Sequence, residues 1–194
     1  MALCRFSLLA IVLAALWLTP QRAPATDAPL APMAGLSEAA AAERAALVAA
    51  LAATKDDAAA RAVEERLWTF WRGRGDATSL ALLKTAEAAQ LEFDYGQALE
   101  ALYEMVKHQP DFAEGWNRLA YALFLANSYD AALEALNKAI ALEPMHYAAL
   151  AGKGVILIRQ GNDADGVAAL KRALAIDPWL KERNLIDSPS AIRP

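Results

Sequence analysis

The stretch NKAIALEPMHYAAL, from Asn137 to Leu150, decides the fold. It carries apolar residues at helical spacing into Pro144, and a new apolar run begins directly after that proline. Proline lacks a backbone N–H and pushes the preceding residue out of helical conformation, so a helix must end here. Pro110 and Pro178 lie at equal distances before and after Pro144 and stop the chain in the same way. The spacing predicts a 34-residue repeating unit.

Three units align in this register: Ser79–Phe112, Ala113–His146 and Tyr147–Leu180. Each contains two amphipathic helical patterns, which in the second and third units are separated by turns rich in Asn, Asp, Gly and Ser. Small residues recur where the two helices would approach closely: Ala86, Ala120 and Gly154, then Ala98, Ala132 and Gly166. One hairpin cannot bury its apolar face alone, so the units must stack. An all-α solenoid is the expected fold class.

The middle unit is similar to the tetratricopeptide repeat (TPR), whose 34-residue pattern runs Trp, Leu-Gly, Tyr, Ala, Phe, Pro. The matching residues are Trp116, Leu119, Ala120, Leu123, Ala132, Leu136 and Pro144. Ala120, Leu123 and Leu136 replace Gly, Tyr and Phe within the same size and polarity classes. The outer units depart further, with Thr85 and Lys153 in the Leu column. The resemblance covers Ser79–Leu180 and implies an α-solenoid of TPR helix-turn-helix hairpins.

Two flanking segments extend the repeats. Residues 37–76 predict an N-terminal helical hairpin, with Ser37 capping its first helix and Asp56 or Asp57 its second. This hairpin is either a degenerate repeat or a cap, and Trp68 and Trp71, one turn apart, are expected to cover the exposed end of the stack. Residues 181–194 predict the end of a C-terminal capping helix and a loose tail.

Residues 1–25 have the pattern of a secretory signal peptide. A basic start precedes an apolar run, Phe6–Leu18, and Ala23-Pro24-Ala25 forms a small-residue cleavage pattern. The run is shorter than the ~20 residues that span a bilayer, although an uncleaved inner-membrane anchor is the alternative. We expect cleavage before Thr26, a linker over residues 26–36, an exported protein that is periplasmic or secreted, and no stable membrane span after cleavage.

The sequence offers little for catalysis. Its only cysteine, Cys4, falls within the predicted signal peptide, so the mature chain would have no thiol. His108 is expected to be a partly buried packing residue and His146 a rim residue, and neither has a partner at the i, i+4 spacing of a helical metal pair. We therefore predict no catalytic residue, no metal, no cofactor and no enzyme. The net charge of −4, without a basic cluster, argues against nucleic acid as a partner.

The TPR resemblance implies a concave surface, formed by the first helix of each hairpin, that binds peptides or helices of partner proteins. The predicted groove residues are Leu83, Glu87, Asn117, Arg118, Tyr121, Phe124, Val155, Ile158 and Arg159. Alternatively, Tyr121, Phe124 and Ile158 simply pack between neighbouring helices. The groove does not match the TPR clamp for C-terminal carboxylates, because Leu83, Glu87, Ala148 and Gly152 replace its Lys and Asn residues.

These observations predict a non-enzymatic exported scaffold of the bacterial cell envelope, acting as an adaptor or assembly factor through protein or peptide binding. The largely apolar groove suits an amphipathic helix or an extended apolar segment. One alternative is a ligand- or substrate-delivery subunit of an envelope enzyme complex. Self-association through apolar end faces is another.

Overall fold

The computed structural model describes residues 36–192, which lie within one unit of the chain. The predicted signal peptide over residues 1–25 and nearly all of the predicted linker lie outside these residues. The described part is all-α, as the sequence predicts. Its eight α-helices are α1 (Glu38–Ala52), α2 (Asp57–Arg72), α3 (Ala77–Leu91), α4 (Tyr95–His108), α5 (Ala113–Leu125), α6 (Tyr129–Leu142), α7 (Tyr147–Arg159) and α8 (Asp163–Ile176).

Helices α3 to α8 form three hairpins, each packed against the next along the chain. Helices α4, α6 and α8 each end just before the residue that precedes a proline of the 34-residue period, as the proline rule requires. The first helices of the second and third hairpins, α5 and α7, also lie next to each other. The predicted solenoid is confirmed.

The repeat positions that hold small residues are where the two helices of a hairpin approach most closely. This is clearest in the third hairpin. A Cβ atom added to Gly166 would lie 2.6 Å from Ile158 Cγ1 and 2.8 Å from the Gly154 carbonyl oxygen. A Cβ atom on Gly154 would lie 2.9 Å from the Gly166 carbonyl oxygen. Because no real Cβ atom comes this near backbone, α7 and α8 can pack at this distance only with glycine on both sides.

The N-terminal hairpin α1–α2 packs against the third unit. Leu47 and Leu51 of α1 and Trp71 of α2 share one apolar cluster with Tyr147 and Leu170. The Arg44 guanidinium reaches Glu143, at the end of α6, at 3.2 Å. At the end of α2, Arg72 lies 2.7 Å from Glu87 of α3, so α2 runs from the third unit towards α3 instead of stacking in front of α3 as a fourth repeat.

The first unit departs from the second at one column of the repeat. Thr85 of α3 is exposed, whereas Leu119, at the corresponding column of the second unit, is buried. Helix α3 thus lacks the large apolar side chain that this column supplies in the second unit. Trp68 and Trp71, expected at the exposed end of the stack, lie against α7 instead.

The C-terminal segment forms two short 3-10 helices, Lys181–Leu185 and Pro189–Ile192, where a capping α-helix was expected. Leu180 has a backbone φ of −50° and ψ of 137°, outside the helical region, so the chain does not continue from Pro178 into an α-helix. Leu185, Ile186 and Ile192 pack on the apolar cluster of the third unit, so residues up to Ile192 are not a loose tail.

Candidate functional site

A groove with a volume of about 470 Å³ lies along the inner helices α5 and α7. Its floor is mainly apolar and includes small residues that leave room for an occupant. Both flanking segments contribute to its wall. The lining residues are Trp68, Asn117, Arg118, Ala120, Tyr121, Phe124, Leu136, Ala148, Ala151, Gly152, Val155, Ile156, Leu180 and Glu182.

Five of the predicted groove residues line this cavity: Asn117, Arg118, Tyr121, Phe124 and Val155. Tyr121 is the most accessible of the aromatic residues here, with 54% of its surface exposed. Phe124 is half-buried, and its ring lies 5.8 Å from that of Tyr129. Tyr121 is therefore available to a partner, whereas Phe124 also packs within its own repeat.

The other four predicted residues lie elsewhere. Ile158 and Leu83 are buried in the core, Ile158 against Gly166 of α8, because their positions on α7 and α3 face away from the groove. Ile158 therefore packs between neighbouring helices, which is the alternative that the sequence left open for it. Glu87 forms ion pairs with Arg72 at 2.7 Å and Arg118 at 3.9 Å. Arg159 lies beside the groove, with its guanidinium 5.7 Å from the centre of the Phe124 ring.

The sequence-based prediction missed the groove residues that lie outside the repeat helices α3 to α8. Trp68 of α2, Leu180 at the end of the third unit and Glu182 of the C-terminal segment complete the wall. Trp68 sits where α5 and α7 begin, with its ring 6.1 Å from Tyr147 and 5.5 Å from the Arg118 guanidinium. Trp68 and Trp71 indicated in the sequence that α2 has an apolar face to bury. The repeat register could not show that this face reaches the groove.

Arg118 is held by partners on three sides. Its Nε donates to Glu114 one turn earlier, another nitrogen reaches Glu87, and its guanidinium lies over Trp68. Asn117 also donates to Glu114, at 3.0 Å. Because these groups compensate the charge of Arg118, this end of the groove does not offer a free cation.

Behind Arg118 lies a buried polar cluster that the sequence did not reveal. Glu114 Oε2 lies 3.0 Å from Nε2 of His146, and both side chains are fully buried. The Ala149 backbone N–H donates to His146 Nδ1 at 3.4 Å, so Nε2 is the nitrogen that donates to Glu114. Burial would raise the pKa of Glu114, but the hydrogen bond from His146 and the charge of Arg118 hold it below its usual range.

The two histidines thus occupy the reverse of the expected positions. His146 is buried rather than on the rim, stacked on Trp71 of α2. His108 is exposed and lies 2.8 Å from Asp76. Between residues 36 and 192, no three His, Cys, Asp or Glu side chains are grouped closely enough to hold a metal ion.

Two carboxylates, Glu64 of α2 and Asp177 at the end of α8, lie close together. Burial and the adjacent Asp177 carboxylate raise the pKa of Glu64. Burial, opposed by the hydrogen bond from the Trp179 backbone, likewise raises the pKa of Asp177. Burial also raises the pKa of Tyr147 well above its usual value, with Glu64 and Asp177 adding to the effect.

A stack of helical hairpins with a groove on its inner helices defines a class of repeat proteins built for recognition. The sequence model of the tetratricopeptide repeat matches residues 83–142 and 126–178. A TPR repeat-containing protein of Rhizobium etli is 32% identical over 124 residues, which cover 64% of this chain. This chain spans 61% of that relative's length. The repeat region of this chain belongs to the tetratricopeptide repeat family.

Solved structures share the fold. An O-GlcNAc transferase of Thermobaculum terrenum is 28% identical with a TM-score of 0.51, covering 55% of this chain and 20% of the transferase. The first TPR domain of Spaghetti, bound to an HSP90 peptide, is 18% identical with a TM-score of 0.56. The match covers 58% of this chain and 90% of the Spaghetti chain. MamA is 20% identical with a TM-score of 0.55, and the match covers 71% of this chain and 84% of the MamA chain. At these identities, the last two show the fold alone.

Proposed function

We propose that this protein is a non-enzymatic exported scaffold that binds a segment of another protein in the groove between α5 and α7, as an adaptor or assembly factor of the cell envelope. The observation that carries the proposal is Tyr121, a half-exposed aromatic residue on the floor of an apolar groove. Aromatic residues in such grooves are typical anchors of protein recognition. Spaghetti, which shares the fold, is bound to a peptide.

The lining favours an apolar occupant. Tyr121, Phe124 and Val155 offer apolar surface, while the charge of Arg118 is compensated by Glu114 and Glu87. An amphipathic helix or an extended apolar segment could bury this surface without leaving a charge unpaired. A free carboxylate would find no cluster of cations here, which argues against the carboxylate-clamp mode of binding.

Export to the envelope rests on the sequence of residues 1–25 alone. Cleavage after Ala25 would give a mature chain that begins at Thr26 and contains no cysteine, which suits an oxidising compartment. N-terminal sequencing of the protein from its native cells tests this, since an intact Met1 would indicate an uncleaved anchor. Spanning a bilayer would take a longer or more continuously apolar helix than any between residues 36 and 192.

One observation favours a second function. A volume of about 470 Å³ lies within the range of about 300–1,000 Å³ typical of small-molecule sites. The groove could therefore hold a ligand for delivery to an envelope enzyme complex. This function predicts that the purified protein carries a small molecule detectable by native mass spectrometry, and that the protein partners do not depend on Tyr121.

Affinity capture from the native envelope tests the proposal. The mature chain should retain partner proteins, and the variant with Tyr121→Ala and Phe124→Ala should lose them. Tyr103→Ala is the matched control, because Tyr103 is exposed to a similar degree, 49%, on α4 outside the groove. If the double variant retains the same proteins as the control, the groove is not the binding site.

A further inference from the structure

The turn between α3 and α4 places a phenylalanine in a conformation that side chains rarely adopt. Phe93 has a backbone φ of 60°, in the left-handed region. The equivalent positions in the other two units are Asn127 at φ 58° and Gly161 at φ 86°. Asn and Gly are the residues that tolerate this region, whereas a bulky side chain there carries a steric cost.

Nothing within the described fold offsets this cost by burying the ring. Phe93 is 77% exposed and Leu91 is 83% exposed. The ring of Tyr95, also exposed, lies 6.5 Å from that of Phe93 in an edge-to-face arrangement. A strained backbone that presents a large apolar side chain to solvent indicates a functional requirement for that side chain.

The sequence around Phe93 defines the chemistry of its binding surface. Glu92 and Asp94 alternate with the apolar residues of the turn Leu91-Glu92-Phe93-Asp94-Tyr95, and both acids are exposed. One oxygen of Asp94 caps α4 by accepting from the Gln97 backbone N–H at 3.0 Å. A surface complementary to this turn would combine an apolar pocket with a cation beside it.

The groove of this same protein offers that combination. Where α5 and α7 end, Phe124 lines the cavity and the Arg159 guanidinium lies 5.7 Å from its ring. The Arg159 side chain is exposed and contacts the hydroxyl of Tyr129 at 3.5 Å. Glu182, the acid among the lining residues, comes from the C-terminal segment, which packs with α7 and α8. The acidic aromatic turn and this end of the groove are complementary in charge and in polarity.

We propose that the α3–α4 turn of one copy inserts Phe93 into the groove of a second copy, with Arg159 of the second copy facing Glu92 and Asp94. This inference rests on the proposed function of the groove as a site for protein segments. The turn and the groove are different surfaces of the chain, so the contact joins copies head to groove. If each copy inserts its turn into the groove of the other, the product is a dimer. If each copy inserts its turn into the groove of a further copy, the product is a longer assembly.

The test begins with the oligomeric state of the purified chain. Sedimentation velocity from about 1 µM to about 1 mM should show association of the wild-type chain, and Phe93→Asn should weaken it at least tenfold. Asparagine occupies the equivalent position of the second unit, so this variant should fold with an unchanged or raised melting temperature. Tyr103→Ala, which removes a comparably exposed aromatic residue from α4, should associate like the wild type.

A mixing experiment identifies the two surfaces. The variant with Tyr121→Ala and Phe124→Ala retains the turn but lacks the groove surface, and Phe93→Asn has the reverse defect. Neither should associate alone, whereas an equimolar mixture should. A monomeric wild type across the concentration range, association of Phe93→Asn equal to wild type, or a mixture that stays monomeric would each overturn the proposal. The groove hypothesis would survive any of these results if Phe93→Asn still captured Tyr121-dependent partners from the envelope.

Discussion

The rings of Trp71 and His146 stack with their centroids 4.1 Å apart and their planes 10° from parallel. This contact joins the N-terminal hairpin to His146, which is the N-cap of α7 in the third unit. The same imidazole donates to the buried Glu114 of α5 in the second unit. One histidine therefore connects the flanking hairpin to two repeat units. The wall of the groove depends on it, because Trp68, one turn from Trp71, lines the cavity.

We predict that His146→Ala destabilises the fold by about 3 kcal/mol, because it leaves the buried Glu114 carboxylate without one of its partners and removes the Trp71 stack. Urea denaturation followed by circular dichroism measures this change. His108→Ala is the matched control and should change stability by less than about 1 kcal/mol, since its ion pair with Asp76 is exposed. Equal losses in the two variants would contradict the assignment of His146 as the structural histidine.

The acidic contact between α2 and α8 predicts a specific pH dependence. The raised pKa values of Glu64 and Asp177 mean that their contribution to stability is fully present below the unfolded-state pKa of about 4. That contribution is lost as the pH rises through their folded-state values. Glu64→Gln removes one charge of the pair and should raise the melting temperature at pH 7.5 by about 2 °C, with little effect near pH 4.

Two features sharpen this experiment. Among the described residues, Asp177 Oδ2 is buried without a hydrogen-bond partner, so the new amide at position 64 has an acceptor available. Glu65→Gln removes the same charge from an exposed position of α2 and serves as the control. A melting temperature that falls at pH 7.5 in Glu64→Gln, or rises equally in both variants, would show that the carboxylates do not oppose each other.

The close approach of α7 and α8 predicts an asymmetric response to alanine. Gly166→Ala should destabilise the protein by about 2–3 kcal/mol, because its Cβ atom would press on the Gly154 carbonyl at 2.8 Å as well as on Ile158. Gly96→Ala, in the first turn of α4, meets nothing nearer than Asp94 Oδ1 at 3.5 Å. It should be neutral or stabilising by up to about 1 kcal/mol. Chemical denaturation compares the two, and a similar loss in both would argue against the tight helix contact.

The sequence predicts the repeats well because the information is local. Pro110, Pro144 and Pro178 mark where helices end, and the small columns mark where they touch. The same register places Tyr121 and Val155 on the inner face. It misplaces Ile158 and Leu83, since a boundary between groove and core can fall within a single turn of a helix.

The contacts of the flanking segments could not be predicted in the same way. Trp71 and His146 are far apart in the sequence, and residues 37–76 lack the repeat columns that would fix their packing partner. His146 was therefore expected on the rim, because its burial depends on a helix from outside the repeats. The contributions of Trp68 and Glu182 to the groove depend on the same long-range packing.

The most direct test of the groove as a binding site is photo-crosslinking in the native envelope. A photoreactive amino acid at position 121 places the reactive group on the groove floor, and the same group at position 103 samples the exposed surface of α4. We predict a discrete protein adduct from position 121 that is absent from position 103. Adducts of equal yield and identity from both positions, or none from position 121, would contradict the proposed binding site.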